Sequence, residues 1–142
     1  MAYLLDTDHL AILHSRSQPM FDRLTAHLAR HDPEDVFASV VSFHEQMQGW
    51  LGFLNRSRNA SHIVLAYREL EEFAHSFFEM NVISYSADAQ RQFDELRRQR
   101  VRIGTLDLRI ASIALVEGAT VITGNRVDFE KVSGLSIEDW KA

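Results

Sequence analysis

Three acidic residues lie far apart in the sequence, and each stands where a strand-like run gives way to a helical one. Asp6 follows a short apolar run, Glu45 opens a helical stretch after a second apolar run, and Asp107 opens another helix. In a chain that alternates strands with helices, such positions meet at one edge of a parallel sheet, where these folds bind ligands. Carboxylate oxygens suit hard cations such as Mg²⁺ or Mn²⁺. The pattern predicts a metal site and metal-dependent phosphoryl chemistry.

Two more polar residues follow the apolar run at 119–123. Asn125 could offer an amide oxygen to a metal ion or to its water, and Asp128 could approach the same cavity one helical turn later. Turn chemistry also accounts for both, because Asn and Asp are common loop formers. Their position after another strand favours a place in the same site.

Each acid also has an interpretation that needs no metal. Ser42 and Glu45 have the spacing of a capping box, in which the glutamate bonds back to the amide of the cap. Asp107 gains from the dipole of its helix, and Asp6 or Asp8 could be an N-cap. The helix that Asp107 opens is apolar nearly all round, which predicts burial, and an acid at its mouth needs a partner. From the residues alone, both interpretations stay open.

The elements that must position these residues follow from hydrophobic periodicity and turn signals. A length of 142 residues fits one domain, 1–142. The alternation of strands with helices predicts an α/β fold with a parallel sheet covered on both faces. Strands are predicted at 2–5, 35–41, 81–85, 119–123 and near 135–137, and helices at 7–14, 20–31, 42–55, 59–80, 86–99 and 105–118.

Composition excludes several classes of chemistry. The chain has no cysteine, so disulfides, thiolate zinc sites and cysteine nucleophiles are absent. Gln48 stands where a zinc-protease helix beginning at His44 would need a second histidine, and no glycine-rich phosphate loop supports the use of ATP or NAD. We expect the seven histidines to be surface or half-buried residues without a catalytic role. With no leader-like or membrane-spanning run, we expect a soluble protein of the cytoplasm with no membrane partner.

The net charge of −5 argues against a nucleic-acid partner, but the cations are unevenly distributed. Thirteen of the fifteen are arginine, and four of them lie between Arg97 and Arg102, directly before the helix of Asp107. Guanidinium groups match phosphate oxygens, so Arg102 and Arg126 are candidate substrate-binding residues. Equally, arginines that end a helix complement its dipole, and the two interpretations are compatible.

Taken together, the motifs resemble those of the PIN domain family, and within it the VapC-like ribonuclease toxins of type II toxin-antitoxin modules. The resemblance runs through essentially the whole chain in family order, over 4–8, 42–45 with Gly49, 102–111, 121–129, 132–135 and 138–140. It is strongest at 102–111 and 121–129.

The resemblance implies a three-layer α/β/α sandwich with a small parallel sheet, in which Asp6, Glu45 and Asp107 hold Mg²⁺ or Mn²⁺. Many members have a fourth acid where this chain has Asn125, so the number of metal ions stays open, with Asp128 as a possible substitute. The implied activity is metal-dependent hydrolysis of single-stranded or structured RNA. The implied partners are a second copy of the chain and a cognate antitoxin, for which the long helix at 59–80 offers apolar surface.

Two other functions are compatible with parts of the pattern. Asn125 favours a PIN-fold binding module that is weak or inactive in catalysis. The pair Asp6 and Asp8 after an apolar run is typical of aspartyl-nucleophile phosphatases, although Leu10 departs from that motif and no lysine lies between Asp8 and Lys131.

Overall fold

The computed structural model describes residues 1–142 and contains one sheet of five parallel strands in the order β3-β2-β1-β4-β5. The predicted α/β fold with a small parallel sheet is confirmed. The strands are β1 Tyr3–Leu5, β2 Val36–Ser39, β3 Asn81–Ile83, β4 Thr120–Ile122 and β5 Ile137–Glu138. The helices are α1 Thr7–Ser15, α2 Met20–Leu28, α3 Val40–Arg56, α4 Ala60–Phe78, α5 Ala87–Arg98, α6 Thr105–Glu117 and α7 Arg126–Phe129, with a 3-10 turn at Pro33–Asp35.

The strands bury side chains on both faces of the sheet. Successive residues of a strand point to opposite faces, and Leu4 packs in one apolar cluster while Leu5 packs in the other. In β4, Val121 and Ile122 divide between the same two clusters. Residues of α5 and α6 complete the first cluster, and residues of α1, α2 and α4 complete the second. The result is the expected three-layer sandwich.

The largest difference from the sequence-based prediction is at the junction of β2 and α3. The strand predicted at 35–41 ends at Ser39, and α3 begins at Val40. The Ser39 hydroxyl caps the helix by accepting the Ser42 N–H at 3.2 Å. Ser42 is therefore inside the helix, and the capping box of Ser42 with Glu45 is wrong. A β-branched pair at 40–41 reads as strand, but the side-chain cap at Ser39 takes precedence.

The remaining helices differ from prediction mainly at their ends. Helix α2 stops at Leu28, three residues before the predicted end, and α7 was not predicted as a helix. Helix α6 is buried along most of its length, as its apolar composition predicted. It ends at Gly118, which adopts a left-handed conformation with φ 65°, as expected of a C-terminal glycine.

The strand order places a crevice at the exits of β1 and β4. From β1 the chain moves outward to β2 and β3, and then returns to the other side of β1 to form β4 and β5. The connections that follow β1 and β4 lead to opposite halves of the sheet. Such connections leave a crevice between the carboxyl ends of the two neighbouring strands, which is where open α/β sheets bind ligands. Asp6 directly follows β1, and Asn125 follows β4 by three residues. No helix is both long and apolar enough to cross a membrane.

Candidate acidic site at the exits of β1 and β4

Asp6 is buried at the start of α1 and has two structural roles. Its backbone N–H donates to the Ile122 carbonyl at 3.0 Å, which fixes the exit of β1 against β4. Its Oδ1 caps α1 by accepting the His9 N–H at 2.9 Å, and the same oxygen contacts His9 Nδ1 at 2.9 Å. The second carboxylate oxygen, Oδ2, forms no hydrogen bond. Capping thus occupies one oxygen of Asp6 and leaves the other for a ligand.

Glu45 lies in the second turn of α3 and is half-buried. It has no cationic partner within 4.0 Å, since no ion pair includes it. Burial raises the pKa of Glu45, and the negative charges of Asp107, Asp8 and Asp6 raise it further. The Thr7 hydroxyl, which donates to Ser42 Oγ at 3.0 Å, also lies near Glu45 and offsets part of this rise. The raised pKa of Glu45 therefore indicates that several carboxylates lie nearby and that no Lys or Arg side chain compensates their charge.

Asp107 lies in the first turn of α6 and is also half-buried without a cationic partner. Burial raises its pKa most, Asp6 adds to the effect, and Asp8 and Asp128 contribute less. Asn125 acts in the opposite direction, because its Nδ2 donates to Asp107 Oδ2 at 3.3 Å. Asp6, Glu45 and Asp107, from three different elements, thus lie close together: the charge of Asp6 raises the pKa of both other acids, and that of Asp107 raises the pKa of Glu45.

Asn125 connects Asp107 to the edge of the site. The same Nδ2 donates to Asp128 Oδ2 at 3.0 Å, and Asp128 Oδ1 accepts from Lys131 Nζ at 3.2 Å. These hydrogen bonds, with Asn125 first and Lys131 second, lower the pKa of Asp128. The amide nitrogen of Asn125 faces the carboxylates, whereas the sequence suggested its oxygen. Asp128 approaches from α7 as expected, but its two oxygens already have partners.

Two residues beside these acids were not among the predicted site residues, although the sequence had pointed to Asp8 as a possible helix cap. Asp8 is exposed, yet its charge raises the pKa of both Glu45 and Asp107. His9 is fully buried, which makes the expectation of surface or half-buried histidines wrong for this residue. The available signal was its spacing of three residues from Asp6 inside an amphipathic turn, since side chains at i and i+3 meet on a helix.

The predicted arginines lie on different surfaces. Arg102 lines an open cavity of about 640 Å³ together with Arg97, Arg100 and Asp128. Arg126 pairs with Glu130 at 3.2 Å and lines a separate cavity of about 430 Å³ beside Trp140. Only the first cavity reaches the acidic site through Asp128.

The acids at the exits of β1 and β4 fit a hard divalent cation by their chemistry. Three carboxylates without Lys or Arg partners share one neighbourhood, and oxygen donors are what Mg²⁺ and Mn²⁺ prefer. A tighter group lies elsewhere, where ligand atoms of His14, Glu69 and Glu72 fall within 4.8 Å of one another. There, His14 Nε2 already contacts Glu69 Oε2 at 2.7 Å, so the two groups satisfy each other. The raised pKa values of Glu45 and Asp107, neither of which has a Lys or Arg partner, make the first group the stronger candidate.

Sheet order and carboxylate placement together define the class of protein: an α/β/α sandwich with an acidic crevice at its switch point. No family model matches the chain. The chain is 26% identical to Ribonuclease VapC2 of Rickettsia felis over 144 residues, which covers 99% of this chain and 98% of the relative.

Solved structures share this architecture from end to end. VapBC-1 from nontypeable Haemophilus influenzae has a TM-score of 0.78 at 24% identity and covers 100% of both chains. A toxin-antitoxin complex from Klebsiella pneumoniae has a TM-score of 0.68 at 22% identity and covers 94% of this chain and 95% of that one. These structures confirm the fold, and the full-length similarity to VapC2 agrees with the resemblance to VapC-like proteins that the motifs indicated.

Proposed function

We propose that this protein is a divalent-metal-dependent endoribonuclease and the toxin of a toxin-antitoxin pair. The observation that carries the proposal is the group of three acids from β1–α1, α3 and α6, which have no Lys or Arg partner, and in which burial and neighbouring negative charges raise the pKa of Glu45 and of Asp107. Full-length similarity to a protein named as a ribonuclease supplies the reaction class. The expected place of action is the cytoplasm, where RNA and an antitoxin are both available.

Asp6, Glu45 and Asp107 are the residues that would hold the metal ion. A bound Mg²⁺ or Mn²⁺ supplies a water of lowered pKa and neutralises charge that develops on the scissile phosphate. Asn125 holds Asp107 by a hydrogen bond to Oδ2, which leaves Asp107 Oδ1 without a protein partner. Because Asp128 accepts from Asn125 through one oxygen and from Lys131 through the other, we assign Asp128 to orienting Asn125 rather than to metal binding.

The basic cavity beside α6 is the expected path of the RNA backbone. Arg97, Arg100 and Arg102 line it together with Gly104 and Thr105, which lie at the start of α6, the helix that carries Asp107. Guanidinium groups there would bind successive phosphates and hold the strand in register with the acids, without selecting sequence. Arg126 lines the separate cavity beside Trp140, so it would contact the strand only if the RNA extends to that surface.

The proposal is tested by incubating the purified protein with single-stranded RNA and Mn²⁺, with and without a chelator. We expect internal cleavage that the chelator abolishes. Asp107→Asn should reduce the cleavage rate at least about 100-fold, because it removes one charge that stabilises the metal ion. Circular dichroism should show the fold retained.

Glu117→Gln is the matched control, because it removes an exposed carboxylate from the last turn of the same helix. It should cleave as the parent does. Full activity of Asp107→Asn would mean that Asp107 is not a site residue. Retarded but uncut RNA would favour the binding module that Asn125 suggests, and an acid-stable phosphoryl group on Asp6 would favour the phosphatase.

For the partners, the relevant surface is the outward face of α4. Val64 and Tyr67 lie one turn apart on α4 and are 57% and 59% exposed, and Phe78 at its end is 76% exposed, whereas Phe77 is in the core. Exposed apolar side chains on one helix are typical of a contact surface. We propose that this face contributes to binding a second copy of the chain or the antitoxin. Light scattering of the protein alone and with its antitoxin distinguishes the two.

A further inference from the structure

His9 is a fully buried histidine that connects Asp6 to the C-terminal segment. Its Nδ1 lies 2.9 Å from Asp6 Oδ1. On the opposite side of the ring, Nε2 accepts the backbone N–H of Trp140 at 3.3 Å. Trp140 is itself 1% exposed and stacks on His27 of α2 and on His31, which follows the end of that helix. The imidazole therefore bridges the exit of β1 and a rigid segment 131 residues away in sequence.

The hydrogen bonds determine which nitrogen of His9 carries the proton. A backbone N–H can only donate, so Nε2 must be the acceptor and the proton of the neutral ring is on Nδ1. Asp139 Oδ1 lies 3.4 Å from Nε2, but the two atoms form no hydrogen bond, and this oxygen accepts the Lys141 N–H at 3.0 Å. Nδ1–H then donates to Asp6 Oδ1.

Both donors of His9 contact the same oxygen of Asp6. The backbone N–H and Nδ1–H of His9 converge on Oδ1, which fixes the rotation of the carboxylate group. Gln46 Oε1 is the only fully buried side-chain nitrogen or oxygen without a hydrogen-bond partner. Asp6 Oδ2, which has no partner either, must therefore still be reached by solvent. It is the free oxygen of an otherwise immobilised ligand.

We propose that His9 is a positioning residue for metal binding. It holds Asp6 in one orientation, in which Oδ2 would be free to bind the ion, and it takes its own orientation from the Trp140 backbone. This role rests on the proposed function, because it requires Asp6 to be a metal ligand. Hydrogen bonds that orient a ligating carboxylate contribute about 10- to 100-fold to metal affinity.

A buried histidine can also serve packing alone, and two substitutions separate the roles. The amide nitrogen of His9→Asn takes about the place of Nδ1 and keeps a donor for Asp6. The amide of His9→Gln reaches about the place of Nε2, so it keeps the contact with Trp140 and loses the donor to Asp6. Both variants lose the ring, so both should unfold at a lower temperature by similar amounts.

The test is direct binding of Mn²⁺, followed by the electron paramagnetic resonance signal of the free ion. We expect His9→Gln to bind Mn²⁺ about tenfold more weakly than the parent, and His9→Asn to stay within about threefold. The Mn²⁺ concentration for half-maximal RNA cleavage should shift in parallel. Equal Mn²⁺ affinity in the two variants would overturn the proposal, whatever their stability.

A second measurement is independent of metal. Nitrogen-15 chemical shifts of His9 in the metal-free protein should show the neutral ring protonated at Nδ1. Protonation at Nε2 would overturn the proposal even if the protein is a metal-dependent nuclease. By contrast, a parent protein that binds no Mn²⁺ and cuts no RNA would refute the proposed function itself, and the positioning role with it.

Discussion

The two sides of the acidic crevice are built differently. On the β1 side, Asp6 is 4% exposed, accepts two hydrogen bonds from His9 and is tied through that ring to Trp140. On the α6 side, Asp107 is half-buried and its one side-chain partner is Asn125. The hydrogen bonds then lead outward through Asp128 to the exposed Lys131.

The difference indicates a division of labour. Groups packed in the core keep one conformation, whereas exposed ion pairs contribute little energy and exchange readily with solvent. The β1 side is suited to presenting one fixed oxygen to an ion. The α6 side, which opens onto the cavity of Arg97, Arg100 and Arg102, is suited to meeting a substrate.

Asn125→Asp tests whether the missing charge on the α6 side limits metal affinity. A fourth carboxylate next to Asp107 adds attraction for the ion, and we expect Mn²⁺ to bind about tenfold more tightly at neutral pH, or about 1.4 kcal/mol. Without metal, the variant should be less stable than the parent, since like charges repel. Titration calorimetry measures the affinity. Asn125→Ala, which adds no charge, is the control, and a matching gain there would refute the electrostatic explanation.

Arg102→Gln tests whether the α6 side contacts the RNA backbone. We expect KM for single-stranded RNA to rise about three- to tenfold with kcat little changed, because a phosphate contact contributes to affinity. The slope of the logarithm of the binding constant against the logarithm of the salt concentration should also become shallower, by somewhat less than one, because one phosphate contact is lost. Fluorescence anisotropy over a salt series measures this. Arg23→Gln on α2, also exposed and unpaired, should have no effect; an equal effect would indicate attraction by overall charge only.

Glu45→Gln tests the repulsion among the acids and has the smallest expected effect. Because the pKa of Glu45 is raised in the folded state, its charged form destabilises the metal-free protein above that pKa. The parent should gain stability as the pH falls through the raised pKa toward the ordinary range of a glutamate, and the variant should gain less. Solvent screening limits the effect to below about 1 kcal/mol, or roughly 1–3 °C in melting temperature near neutral pH.

Calorimetry in the presence of a chelator, repeated from pH 8 downward, measures this difference. Glu71→Gln, an exposed position on α4, provides the control and should melt as the parent does. If Glu45→Gln melts at a lower temperature than the parent in metal-free buffer, Glu45 has a stabilising partner and is not part of a repulsive cluster.

Much of the fold, and the elements on which the candidate acids stand, could be predicted from local patterns. The alternation of apolar runs with amphipathic stretches predicted the parallel sheet, and strand exits identified Asp6, Asn125 and the neighbourhood of Glu45. The burial of α6 was predicted from its apolar composition. Its end at Gly118 was predicted from the glycine itself. These properties are determined by residues within a few positions of one another, so the sequence contains them directly.

Other features required the tertiary structure. Ser39 and Ser42 are both plausible helix caps in the sequence. The pairing of β2 with its neighbouring strands, which extends as far as Ser39, decides that α3 begins at Val40. Likewise, no local signal indicates that Trp140 meets His9 or that the amide nitrogen of Asn125 faces Asp107.

By itself, the sequence determined which side chains have metal-binding chemistry and on which elements they stand, because residue type and periodicity are local. Tertiary structure decided how each of those side chains is held: Asp6 by His9, Asp107 by Asn125, and Glu45 by no cation. The reason is physical, since a hydrogen bond or a pKa depends on groups that fold together from distant parts of the chain.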